Sequence, residues 1–89
     1  MVKRGKLEIM KDILQIIKEN KNSIKIMPLI RKSNLSSLRF KEYYNELLEG
    51  KFIVELFDNN EKYITLSEKG FRFLEKYKTI ISFIGEFKL

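Results

Sequence analysis

Residues 34–70 read NLSSLRFKEYYNELLEGKFIVELFDNNEKYITLSEKG, and this stretch restricts the fold more than any other part of the chain. Ser36 stands where a helix N-cap belongs, because its hydroxyl can accept from the free amides two or three residues on. Phe40, Tyr43, Tyr44 and Leu47 follow at i, i+3, i+4 and i+7, the spacing of one apolar helix face, and Gly50 is the expected stop. Leu38, Arg39, Glu42, Asn45 and Glu46 fall opposite that face. Phe52, Val54 and Leu56 then alternate with Ile53, Glu55 and Phe57 as a strand, and Lys62 to Leu66 gives its mate. Asp58, Asn59, Asn60 and Glu61 form the loop between them, where Asn tolerates the left-handed backbone of a tight turn. Ser67 caps a further helix, with Glu68 placed against its positive end.

The flanking sequence completes four helices and one hairpin. Leu7, Met10, Ile13, Leu14 and Ile17 predict a first helix from Lys6 to Asn20, and Ile9 and Ile16 widen its apolar arc beyond one stripe. A helix apolar on two sides is usually packed on two sides. Ser23 to Ile26 alternates as a short strand, and Pro28 opens a second helix that runs to Ser33, since its missing N–H costs nothing at a first helical position. In the last helix Phe73, Tyr77, Ile80, Ile84 and Phe87 follow at spacings of 4, 3, 4 and 3, the seam of a two-heptad coiled coil, while Phe71, Leu74 and Ile81 point elsewhere. One face of that helix is free to pack on the domain and the other to meet a second subunit. Closure of the monomer's own core is the competing role for the seam. Gly85 weakens the last turn by roughly 1 kcal/mol relative to Ala.

The 89 residues suit a single domain, residues 1–89, with a basic arm over 1–5 and a dimerisation helix over 68–89. A domain of this size buries only about 60 to 65% of the surface its unfolded chain exposes, so its stability leans on a partner surface. The chain has neither Cys nor His. That removes disulfides, the usual zinc ligands and the commonest general base, and no cluster of acids suggests a two-metal site. Glu46 and Glu49 have a solvated helix face as their ordinary explanation. No catalytic residue, metal ligand or cofactor is expected. With no apolar run near 18 residues and no signal-peptide pattern, the chain reads as soluble and cytoplasmic, without a membrane partner.

The formal charge of +6 is unevenly spread. Residues 1–41 hold eleven Lys and Arg against three acids, a net of +8, whereas residues 42–89 hold seven against nine, a net of −2. The basic excess therefore surrounds the NLSS turn, and a polyanion is its natural partner. Lys-rich faces also keep small proteins soluble, which is the plainer reading of the same charge.

The segment KIMPLIRKSNLSSLRFKEYYNELLEGKFI, followed by KYITLSEKGFRFLEKY, resembles the small archaeal winged-helix DNA-binding proteins of about ten kilodaltons. These include a chromatin-associated group that dimerises through its C-terminal helix. The most specific parts are Asn34-Leu35-Ser36, Tyr43 to Leu47, Gly50 to Ile53 and Tyr63 to Leu74. The chain departs from the family at Pro28, at Phe52 where Leu is common, and in a C-terminal helix short for chromatin members. That shortness points to a compact regulator or to a plasmid or viral relative. The resemblance implies an α+β fold: a winged helix-turn-helix with three N-terminal helices, a β-hairpin wing and a C-terminal dimerisation helix. It also implies a double-stranded DNA partner, a homodimer and a role in transcription regulation.

On that reading the third helix enters the major groove, which is about 12 Å wide and admits one α-helix. Ser36 and Ser37 offer short donors and free amides to phosphates or base edges, beside Asn34 in the turn. Arg39 has the fork that matches guanine; a phosphate contact or a surface ion pair is the alternative. Glu42 accepts from cytosine or stays solvated. Asn45 is able to read adenine if the groove reaches that far along the helix. Arg31, Lys32 and Lys41 are phosphate clamps, worth affinity rather than sequence choice. Asn59, Asn60 and Lys62 either reach the adjacent minor groove or backbone, or in the case of the two Asn only make the turn. The acids Asp58 and Glu61 make this wing less basic than groove insertion favours. Phe73, Tyr77, Ile80, Ile84 and Phe87 are the expected dimer seam. An architectural protein without strong sequence preference and a protein-interaction module are the competing functions.

Overall fold

The computed structural model describes residues 4–87. Their order is α1 (Lys6–Glu19), α2 (Ile26–Ser33), α3 (Ser37–Glu49), β1 (Ile53–Asp58), β2 (Glu61–Leu66) and α4 (Glu68–Phe87). Four helices and one antiparallel hairpin make the α+β arrangement expected from the sequence. Met1 to Lys3 of the predicted arm lie outside the described residues. Arg4 does not extend from the body as an arm would. Its guanidinium pairs with Asp12 at 2.9 Å and donates to the Ser33 carbonyl at 3.2 Å, which ties the chain start to the end of α2.

α1 is the centre of the fold and touches α2, α3, α4 and β2. Ile9, Met10, Ile13, Leu14 and Ile17 are all buried on it, so the wide apolar arc is packed as its width implied. Leu7 is the exception at 61% exposed. At about 100° per residue it sits on the rim of the arc. Leu29 of α2, Phe40, Tyr44 and Leu47 of α3, Ile53 and Ile64 of the hairpin and Leu74 of α4 close around α1. Tyr43, expected in the same stripe, is only half-buried at its edge.

α1 ends as Lys21 and Asn22 turn left-handed, at φ 61° and 55°, and the Asn22 amide donates back to the Ile17 carbonyl at 3.0 Å. The Asn22 side chain accepts from the Leu66 amide at 2.8 Å, joining this turn to β2. The expected strand over residues 23–26 contracts to one residue. Ile24 exchanges two backbone hydrogen bonds with Ile64, at 3.1 and 2.8 Å, before Ile26 already opens α2. Pro28 is therefore third in its helix rather than first. It still lies in the turn whose amides have no helical partner, so the missing N–H again costs nothing.

α3 stops in a manner the sequence suggested only in part. Gly50 is right-handed and the left-handed residue is Lys51, at φ 62°. The Phe52 amide bonds Leu47 at 2.9 Å and the Lys51 amide bonds Leu48 at 3.1 Å, the paired bonds of a Schellman cap. Glycine is needed at position 50 for room: a Cβ there would stand 2.8 Å from the Phe52 ring.

β1 and β2 pair from Ile53↔Leu66 to Asp58↔Glu61, so the hairpin turns on Asn59 and Asn60 alone, at φ 51° and 66°. Both central residues are left-handed, which Asn accepts. Ser67 then caps α4, its hydroxyl accepting from the Gly70 amide at 3.1 Å and donating to the Lys51 carbonyl at 2.6 Å. Gly70 lies so close to the hairpin base that a Cβ would come within 2.3 Å of the Phe52 carbonyl oxygen. The start of α4 is thus seated on the domain, while its second half runs out from it and draws the molecule to 49 Å along its longest axis.

Candidate nucleic-acid interface

α2, a three-residue turn and α3 form a helix-turn-helix unit. Asn34 takes the left-handed conformation at φ 59° that lets the chain reverse, and its amide donates to the Arg31 carbonyl at 3.3 Å. Ser33 is buried beneath the turn, its hydroxyl donating to the Ile30 carbonyl at 2.7 Å. Ser36 caps α3 as its position predicts, accepting from the Arg39 amide at 3.3 Å. With Phe40, Tyr44 and Leu47 inward, the opposite surface of α3 is open to solvent.

Leu38, Glu42 and Asn45 occupy the middle of that surface, Arg39 lies toward one edge and Ser37 and Lys41 toward the other. Leu38 is 72% exposed, an unusual exposure for a leucine in the centre of a polar helix face. Its helical position opposite the Phe40 stripe was the sequence signal for it. The Arg39 guanidinium rests over the Tyr43 ring at 5.8 Å and donates to its hydroxyl at 3.4 Å. Tyr43 thus supports the arginine from below, which accounts for its half-buried place, and Arg39 forms no ion pair with Glu42.

Five ion pairs join the described residues: Arg4 and Lys11 with Asp12, Lys6 with Glu46, Lys25 with Glu61 and Lys62 with Glu55. Arg31, Lys32, Arg39 and Lys41 are exposed and take part in none of these. Lys32 has only a long contact of 3.4 Å with the Asn20 side chain. Internal pairing thus consumes acids elsewhere and leaves four cations around the turn and the start of α3.

The hairpin differs from its sequence reading. Asn59 and Asn60 are exposed and make the turn. Lys62 is half-buried and bonded to Glu55 at 3.2 Å, diagonally across the strand pair on the same face, so it is not a free cation at the tip. Glu55 also accepts from the Tyr44 hydroxyl of α3. Glu61 is held by Lys25 at 3.0 Å and by the Tyr63 hydroxyl at 2.9 Å. Of the two acids that make this hairpin less suited to a polyanion, Glu61 is neutralised in place, and Asp58 takes no part in an ion pair with the described residues. Phe57, which the sequence placed in the strand and gave no role, is 73% exposed near the tip.

The expected seam on α4 divides. Phe73 is half-buried, with its ring edge-on to Phe52 at 5.5 Å and stacked on Tyr77 at 6.2 Å, so it covers the chain's own core. Ile80, Ile84 and Phe87 are exposed, and Ile81 and Phe83 add to the same uncovered end.

A family model for winged helix-turn-helix proteins matches residues 3–84. The chain belongs to the winged helix-turn-helix family. No curated protein matches it. Solved structures do. Sso10a-2, a DNA-binding protein from Sulfolobus solfataricus, aligns at a TM-score of 0.75 and 21% identity, over 96% of this chain and 86% of its own. F93 from STIV, a winged-helix DNA-binding protein, aligns at 0.73 and 18%, over 89% and 91%. F-93 of SSV1 aligns at 0.68 and 26%, over 90% and 88%. The α3 surface is thus the exposed second helix of a winged helix-turn-helix, and the β1–β2 hairpin is its wing.

Wing and α3 are locked by Tyr44 and Glu55, and this lock is pH-sensitive. The Tyr44 hydroxyl and the Lys62 ammonium hold the Glu55 carboxyl below its ordinary value of 4.5, while burial and the facing carboxylate push Tyr44 up. A carboxylate with a depressed folded-state pKa contributes stability above its unfolded value, and loses it as pH falls through the depressed one. Glu55→Gln is therefore expected to cost about 1 kcal/mol at pH 7, with the deficit shrinking below about pH 4.5. Urea unfolding of both proteins at pH 7 and pH 3 checks this; a deficit equal at both would show that the charge on Glu55 is irrelevant.

Proposed function

We propose that this chain is a dimeric DNA-binding protein that regulates transcription, with α3 in the major groove of a duplex and the wing against the adjacent backbone or minor groove. The observation that carries the reading is the surface of α3 itself. It is a helix about 10–12 Å across, braced from behind by α1 and bordered by four cations that form no ion pair among the described residues, and a groove about 12 Å wide accepts it. The DNA-binding descriptions of Sso10a-2 and F93 support it by analogy of fold.

Each candidate residue then has a part. Arg31, Lys32 and Lys41 bind phosphates, and Asn34, Ser36 and Ser37 place polar groups and free amides at the groove edge. Arg39, levelled by Tyr43, reads guanine. Asn45 reads adenine, and Leu38 meets a thymine methyl. Asn59 and Asn60 carry the wing tip to the backbone, with Lys62 behind them. A reading face that mixes an arginine fork, an amide and an apolar side chain favours sequence-specific regulation over purely architectural binding, which needs only cations. Nothing in this reaction-free role calls on a cofactor, and its place is the cytoplasm with the chromosome, or with viral or plasmid DNA.

The second subunit is met through the outer half of α4, by Ile80, Ile84 and Phe87 with Tyr77 at the base of the seam. Phe73 serves mainly its own subunit. Ile80→Glu is expected to halve the mass seen by light scattering without loss of helical signal. An unchanged mass would remove this seam from the dimer.

For DNA, Arg39→Ala is expected to weaken binding to a duplex selected from a random pool by about 1–3 kcal/mol, with little effect on random duplexes. Lys32→Ala should weaken both alike and reduce the salt slope by about 1. Fluorescence anisotropy at several salt concentrations measures both. Salt-independent binding, or none, would sink the DNA reading, and equal loss of all sequences on Arg39→Ala would turn it toward the architectural role.

A further inference from the structure

The wing carries an apolar side chain that neither the core nor the α3 contact accounts for. Phe57 is the most exposed of the large apolar residues described, at 73%. It lies outside the buried core cluster and outside every aromatic pair among the described residues. Its register fixes its side of the sheet. Ile53 and Glu55 share its face, Ile53 being buried and Glu55 held by the Tyr44 hydroxyl of α3, so Phe57 projects from the α3 side of the wing. One more pair, Asp58↔Glu61, separates it from the Asn59–Asn60 turn. Val54 and Leu56, the other exposed apolar residues of β1, lie on the opposite face.

The face of the wing that carries Phe57 lies beside the outer surface of α3 and has charged neighbours rather than an apolar patch, which suits the same duplex better than another protein's apolar surface. Lys62, directly across the strand pair, is paired with Glu55, and Lys41, exposed on the edge of α3, is a cation with no ion pair among the described residues. Two of the three nearby acids are occupied, Glu55 by Lys62 and Tyr44 and Glu61 by Lys25 and Tyr63, while Asp58 beside Phe57 takes no part in an ion pair with the described residues. The tight two-residue turn holds the strand end in one shape, so the ring is presented without further ordering of the chain.

We propose that Phe57 is a wedge that enters the minor groove of a DNA duplex beside the α3 site and parts one base step there. This rests on the DNA-binding reading above and adds to it a second source of sequence preference. Apolar side chains that insert between bases unstack and kink the duplex, and the cost is least at flexible pyrimidine–purine steps. The wing then selects a deformable step at a fixed distance from the bases that α3 reads, and it does so without hydrogen-bonding any base.

A duplex selected from a random pool, carrying 2-aminopurine at successive positions beside the α3 site, tests the proposal. Wild-type protein is expected to raise the fluorescence at one step per half-site and to shorten the end-to-end distance measured by energy transfer between terminal dyes. Phe57→Ala should abolish both signals and lower affinity on the order of tenfold with an unchanged salt slope, because no phosphate contact is lost. Phe57→Leu, which keeps an apolar wedge, should retain most of the signal. Equal affinity and equal fluorescence for wild type and Phe57→Ala would overturn the wedge. So would a change in the mass of the free protein on Phe57→Ala, which would assign the ring to a protein contact. Binding that Arg39→Ala weakens, without any 2-aminopurine response, overturns the wedge and leaves the DNA reading standing, whereas absence of any salt-dependent duplex binding by wild type overturns both.

Discussion

The burial of α1 decides where every other element lies. Ile13, Leu14 and Ile17 have no exposed surface, and the wide arc they belong to needs cover from several directions at once. α2 and α3 supply it on one side, and β2 and the start of α4 on the other. Each covering element is itself amphipathic, so turning its apolar face to α1 turns its polar face to water. The outer face of α3 is a by-product of the same packing. Phe40, Tyr44 and Leu47 point to α1 and the hairpin, and Leu38, Glu42 and Asn45 have nowhere to go but outward.

Short polar connections hold that arrangement in register. Asn22 ties the α1–α2 turn to β2, Arg4 ties the chain start to the end of α2, and the Tyr44–Glu55 hydrogen bond ties wing to α3. Lys25 and Glu61 link the entrance of α2 to the wing from the other side. These contacts lie near the surface and each contributes little to stability alone. Their effect is to fix the wing relative to α3. They also consume acids, leaving Arg31, Lys32, Arg39 and Lys41 without an ion pair among the described residues.

Most of the architecture was legible in the sequence because local signals and the global fold agree. The Ser36 and Ser67 caps, the Phe40 to Leu47 stripe and the Asn59–Asn60 turn all fall where residue chemistry alone puts them. What was misread depended on contacts distant in the chain. The alternation Ile24-Lys25-Ile26 looks like a strand, yet only Ile24 meets β2, because Ile26 is already in a helix. Gly50 stops α3 where the sequence put the stop, but the reason for glycine there, room beside the Phe52 ring, was not visible. Phe73 belongs by spacing to a seam, yet the ring of Phe52 claims it first. For the candidate interface, the sequence identified the helix and the cations but not their state. Pairing of Lys62 with Glu55, support of Arg39 by Tyr43, and exposure of Leu38 and Phe57 each depend on where a second element passes.

On the proposed function, the outer surface of α3 is the part of the molecule that meets duplex DNA. Nuclear magnetic resonance titration of the labelled protein with a duplex, followed amide by amide, tests it without presupposing a sequence or a mutant phenotype. The account predicts that shifts concentrate at Ser36 to Asn45, at Arg31 and Lys32 and along the wing from Phe57 to Lys62, with Ile80 to Phe87 unmoved. Shifts that spare α3, or that gather on the outer half of α4, would contradict it.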